Sequence, residues 1–245
     1  MPRSAYTPLN RKHVRLASRW AYEAGTDYWL IPGPAISSAA DTASQEQLAE
    51  WGWTATALTD TVGAGADFMS SSDRAPNHIL TNASSDLLSS PAIFGDYDHA
   101  WQAMKVAGQR KMPTDLILEC MASFTVASND DQGSGFGFVE DGGSPIVEAD
   151  HLGFIASDGT NFQLAADGGS GVLTDAGAAV DTSWNLWKIR INLADQLIYW
   201  YINGTLQGSV AVTADEFPAK FGMGVEAGST GNRIGLGIVH IYYDW

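Results

Sequence analysis

The chain of 245 residues carries 26 Gly and 28 acidic residues against 13 Lys and Arg, a formal net charge of −15. Asp supplies 20 of the acids, and Asp with Gly serves turns where helix surfaces use Glu and Lys, which argues against an all-helical fold. Nine Trp, eight Tyr and nine Phe within 45% hydrophobic residues suffice for one sizeable core and exclude disorder of the whole chain; no apolar run approaches the ~20 residues that span a bilayer, so a soluble protein is expected.

The charge is unevenly spread. Residues 1–20 hold Arg3, Arg11, Lys12, Arg15 and Arg19 and no acid, which leaves eight basic and 28 acidic residues, a balance of −20, for residues 21–245. So acidic a body repels nucleic acid and anionic membrane, so neither is expected as its partner. The five cations read either as an anchor for an acidic protein surface or nucleic acid, or as a solvated terminus. No apolar stretch of the ~7–15 residues that export requires stands near the start, so no signal peptide is expected.

In chain order, residues 1–40 read as an extended arm and linker, closed by the proline-bearing stretch Ile31 to Asp41. Ser44 followed by Gln47 is a capping-box pattern for a short helix that Gly52 ends. From Trp51 onward β signals dominate: Trp51 to Leu58 alternate in period two, and short strands are expected near His78 to Thr81 and Ala92 to Phe94. The second half is clearer. Leu116, Leu118, Cys120, Ala122, Phe124 and Val126 alternate against Glu119, Met121, Ser123 and Thr125, the pattern of a half-buried antiparallel strand. A polar turn at residues 128–132 precedes a glycine-rich strand, and Asp158-Gly159 joins two short strands as a hairpin. Strands then follow Trp184, with turns at Ala194-Asp195 and Asn203-Gly204, and two more close the chain. About eight to ten strands with turn signals between them predict an all-β antiparallel sandwich or barrel.

Trp187, Ile189 and Ile191, then Ile198, Trp200, Tyr201, Ile202, Asn203, Gly204 and Leu206 resemble the paired strands of the concanavalin A-like lectin/glucanase group, laminin-G-like modules included. That resemblance implies a jelly-roll β-sandwich over residues 41–245 behind the arm of residues 1–40. The sandwich, basic arm, single cysteine and lack of an export signal also resemble virion proteins of tailed bacteriophages.

Glucanases of this group resemble one another in a Glu-x-Asp-x-Glu strand, whose period of two sets carboxylates on one face. Here Glu148-Ala149-Asp150 is followed by Leu152 where the second Glu would stand, and Glu119 is flanked on its face by Ile117 and Met121; no enzyme is expected. Asn129, Asp130, Asp131, Glu140 and Asp141 could offer oxygens to calcium, without EF-hand spacing, but are better read as solvated turns. No cofactor is expected beyond that option. Cys120 reads as a small buried hydrophobe. Trp187 falls with Ile189 and Ile191, whereas Trp184 shares a face with Lys188 and Arg190. Trp184 and Trp200 are the aromatics offered for a glycan or a subunit interface.

The expectation is a non-enzymatic structural protein of a bacteriophage virion, a capsid decoration or appendage subunit attached to capsid or other virion proteins through Arg3, Arg11, Lys12, Arg15 and Arg19. A homo-oligomer is expected. The alternative is a lectin-like module for surface glycans, and a glucanase ranks below both.

Overall fold

A computed structural model of the chain describes residues 12–16, 19–23, 27–31, 54–56, 79–80, 87–90, 94, 115–124, 130–145, 147, 150–158, 160–166, 174–192, 195–211, 219–225 and 234–244. Their strands are β1 (Lys12–Leu16), β2 (Arg19–Glu23), β3 (Asp27–Ile31), β4 (Thr54–Thr56), β5 (Ile79–Leu80), β6 (Leu87–Ser89), β7 (Asp115–Phe124) and β8 (Asp130–Glu140). Then come β9 (His151–Asp158), β10 (Asn161–Ala165), β11 (Thr174–Ala179), β12 (Asn185–Asn192), β13 (Leu197–Ile202), β14 (Thr205–Ala211), β15 (Ala219–Gly224) and β16 (Ile234–Asp244). They form two antiparallel sheets: nine strands in the order β1-β2-β3-β16-β7-β12-β13-β14, with β5 also on β16, and seven in the order β11-β10-β9-β8-β15-β6-β4. The chain is the expected β-sandwich.

Alternation decides which side of each strand is dry. On β12 Trp187, Ile189 and Ile191 are buried while Leu186, Lys188 and Arg190 face away from the second sheet. β7 sends Leu118, Cys120 and Phe124 inward, β13 Ile198 and Trp200, and β16 Val239 and Ile241; Phe136, Phe138, Phe162 and Phe221 meet them from the second sheet. Trp187 is the centre of this layer, with ring centroids 4.8 Å from Phe162, 5.6 Å from Phe136 and 6.3 Å from Phe124, near edge-to-face. Its indole Nε1 donates to the Ala122 carbonyl at 3.1 Å, so the ring is buried without an unmet donor. Burial of each large apolar side chain is worth about 1.5–3 kcal/mol.

The other face of the seven-stranded sheet is dry as well. Val139, Phe154, Ala156 and Ala165 form a second buried cluster there. The segment after β8 folds back over this face: Pro145 lies where a side chain at Gly222 would collide with it, and the Ser144 N–H donates to Asp150 Oδ2 at 2.6 Å. His151, 1% exposed, stacks on Phe154 at 3.8 Å and bonds through Nε2 to the Pro145 carbonyl.

Two sequence expectations change. Three strands fall where an arm apart from the sandwich is expected: β1, β2 and β3 make a meander that joins the nine-stranded sheet where Leu30 pairs with Val239 and Tyr28 with Ile241. Their β-branched and aromatic content suits a ladder, which the proximity of two prolines and the run of cations obscured. The expected boundary at residue 40 and the helix at residues 44–52 lie outside the described residues. The polar stretch at residues 128–132 is not all turn, because β8 already begins at Asp130, paired with Asp158.

Candidate functional site

The outward face of the nine-stranded sheet brings the chain's charged side chains into rows. One rung runs His240, Glu119, Lys188, Tyr201 and Leu206 across β16, β7, β12, β13 and β14; the next runs Tyr242, Ile117, Arg190, Tyr199 and Ser209; a third starts Asp244, Asp115 and Asn192. Between these rungs lies a half-open groove of about 460 Å³, lined by Asp115, Ile117 and Glu119 of β7, Leu186, Lys188 and Arg190 of β12, and Tyr201, Gly204 and Asp244.

Two ion pairs form its floor. Lys188 Nζ stands 3.1 Å from Glu119 Oε1, with both side chains about a third exposed, and Tyr242 donates its hydroxyl to the same oxygen at 3.3 Å. Arg190 Nη2 stands 3.0 Å from Asp115 Oδ2, and its guanidinium lies 5.5 Å from the Tyr199 ring centroid. The hydrogen bond it donates to Asp115 raises the Arg190 pKa further above its ordinary value. The imidazole of His240 stacks on Tyr242 at 4.4 Å and 23°.

One end of the groove is anchored by a tight turn. Asn203 and Gly204 take φ of 49° and 81°, the left-handed pair that a type I′ hairpin needs and that Asn-Gly supplies at low cost. The Asn203 N–H donates to the Leu186 carbonyl at 2.8 Å, its Oδ1 accepts from the Leu186 N–H at 2.9 Å, and its Nδ2 donates to Asn185 Oδ1 at 2.7 Å. The β13–β14 turn is thereby tied to the start of β12.

Trp184 is half-buried on the same face, its indole so close over Gly235 that a Cβ there would come within 2.7 Å of the ring. Trp200 stands elsewhere: opposite Ile189 in the ladder, it is 0% exposed in the core, so no glycan or subunit reaches it. Of the five cations, Lys12, Arg15 and Arg19 lie on β1 and β2, while Arg3 and Arg11 fall outside the described residues. Asp150 holds the loop at Ser144, and Glu148 and Asn129 lie outside the described residues. Among the described residues no three His, Cys, Asp or Glu side chains gather as metal ligands. Cys120 is buried, and burial together with the nearby Glu119 charge pushes its thiol pKa up, away from nucleophile chemistry.

Sequence reasoning did not single out Asp115 or the pairing of Glu119 with Lys188. The usable signal was the spacing of two carboxylates on β7 and two cations on β12, each keeping one face.

No family model and no curated protein sequence matches the chain. Among solved structures it is similar to the binding domain of botulinum neurotoxin serotype D, with a TM-score of 0.45 and 10% identity over 69% of this chain and 39% of that one. It is also similar to an alginate lyase from Pseudomonas aeruginosa, with a TM-score of 0.41 and 14% identity over 65% and 74% of the two chains. A Bacillus licheniformis β-glucanase gives 0.40 and 14% over 69% and 79%. The chain spans little more than a third of the toxin binding domains it matches, 36% in one complex with rat synaptotagmin II. The two-sheet assignment rests on the strand pairing itself.

Proposed function

We propose that the chain is a non-enzymatic binding module that holds a saccharide in the groove over β7, β12 and β13. The observation that carries this reading is the Glu119–Lys188 pair, 3.1 Å apart and about a third exposed, beside Tyr201 in the same groove. A sugar hydroxyl is donor and acceptor at once, so a neighbouring carboxylate and ammonium satisfy both of its roles, and a tyrosine ring covers the apolar face of the pyranose. A catalytic pairing of Asp115 with Glu119 is disfavoured by spacing. Asp115 and Glu119 are four residues apart along one strand, roughly 13 Å, where glycosidases set their pair about 5–9.5 Å apart. A glycan array, read with and without calcium, tests the module: Tyr201→Ala and Glu119→Gln should each weaken the bound signals about tenfold, and a uniformly flat array removes the reading. Turnover of β-glucans by the unaltered chain would overturn its non-enzymatic part.

A second reading concerns where the module works: in a bacteriophage particle, as a decoration or appendage subunit attached to capsid or other virion proteins, or to sister subunits. It is favoured by the charge split and by the position of Lys12 and Arg15 on β1, the last strand at one end of the nine-stranded sheet. Cations on an edge strand deter sheet-to-sheet addition while offering a basic border to an acidic surface. Replacing Arg3, Arg11, Lys12, Arg15 and Arg19 by Gln should abolish particle association or lower the oligomeric state; neither changing would overturn this reading.

A further inference from the structure

We infer that the saccharide selected by this groove carries a methyl group, as an acetamido or 6-deoxy substituent, seated on an apolar row at the groove's end. The inference rests on the saccharide reading above and adds the substituent that sets specificity.

Of the four large apolar side chains exposed among the described residues, three gather on this face: Leu186 at 47%, Leu206 at 52% and Ile238 at 42%. Single exposed leucines need no explanation, but a row continuous with a groove does. Register sets Ile238, Met121 and Leu186 in line, with Leu206 on the neighbouring rung. Met121 pairs with Leu186, and Leu206 pairs with Tyr201. Ile238 falls in the bulge where the β16–β7 ladder skips from Leu236–Ala122 to Val239–Cys120, beside Met121. Leu186 belongs to both features, since it also lines the groove. The floor therefore grades along β12 from apolar at Leu186, through Lys188, to Arg190 over roughly 13 Å.

A fully hydroxylated ring in this groove satisfies the ion pairs but sets a hydroxyl against Leu186 and Ile238, where a hydrogen bond to water is lost and none is regained. A methyl at that point buries apolar surface instead. The wall is preorganised, because both backbone groups of Leu186 are bonded to Asn203, so little ordering is left for binding to supply.

The test is calorimetric titration of the full chain with matched sugars: N-acetylglucosamine oligomers against glucose oligomers of equal length, and L-fucose against L-galactose. Burying one such carbon is worth about fourfold in affinity, so a four- to tenfold preference for the methyl-bearing member is expected in at least one pair, and the pair that shows it tells which substituent is read. Leu186→Asn and Ile238→Asn should each cut the preference below about twofold, with thermal melts checking that these exposed positions leave the fold intact. Equal affinity within both pairs, or a preference unmoved by both substitutions, overturns the inference and leaves saccharide binding standing. Failure of every sugar, here and on the array, overturns the saccharide reading itself and this inference with it.

Discussion

Arg190 and Asp115 are joined by an ion pair that crosses the ladder diagonally: Nη2 stands 3.0 Å from Oδ2, although the register sets Arg190 opposite Ile117 and Asp115 opposite Asn192. The two ends are unequal, with side-chain exposures of 36% for Arg190 and 6% for Asp115. Loss of the cation leaves a buried carboxylate without its paired charge, whereas loss of the acid leaves a guanidinium that water reaches. Arg190→Met should therefore lower stability by about 2 kcal/mol, less than for a fully buried pair because the guanidinium is partly solvated. Asp115→Asn should cost about 1 kcal/mol. Urea unfolding that ranks the two the other way contradicts the geometry.

Glu119 and Lys188 sit in the same groove under different conditions, each about a third exposed. Water and salt screen such a pair, so Glu119→Gln and Lys188→Met should change stability by less than about 1 kcal/mol. Saccharide affinity should nevertheless fall about tenfold in each. A variant that loses stability and affinity in proportion would place the pair in the scaffold instead.

Trp187 should be the costliest single position in the core. It is 1% exposed, touches three phenylalanine rings and bonds to the Ala122 carbonyl. Trp187→Ala should cost about 3–5 kcal/mol through the cavity it leaves. Trp187→Phe keeps part of the ring but strands the carbonyl, and should cost about 1–3 kcal/mol. Guanidinium denaturation with unchanged slope would measure both.

His151 makes stability depend on pH. Burial lowers its pKa from 6.5 to about 4, against smaller opposing effects of the Pro145 carbonyl and Asp150, and its Nδ1 is buried without a hydrogen-bond partner. The unfolded chain takes up a proton near pH 6.5 that the folded chain refuses until about pH 4, so stability is full above pH 6.5 and falls between those values. The loss is of order 3 kcal/mol. Melting temperatures at pH 7 and pH 4.5 should differ less for His151→Gln than for the unaltered chain, and an equal difference would remove His151 as the cause.

Much of the fold was legible because its signals are local. The alternation around Cys120 and Trp187, the Asn203-Gly204 turn and the hairpin near Asp158 each occupy a few residues, and the structure keeps them. Trp184 was traced to the face of Lys188 and Arg190 by counting in twos. The same count along β13 turns Trp200 to the side of Ile198, in the core. The first strands were harder to read: their membership in the sheet depends on β16, at the other end of the chain, and no local pattern announces a partner so distant.

The sequence by itself determined the strands around Cys120 and Trp187, which of their residues are dry, and the turn at Asn203-Gly204, because a side-chain period of two and the left-handed preference of Asn-Gly act within a few bonds. Only the tertiary structure decided that Asp115 would meet Arg190, 75 residues away, and that Leu186, Leu206 and Ile238 would share one sheet face. Register between distant strands is set by how two whole faces pack together, and a slip of one residue would have turned every one of these side chains to the opposite side.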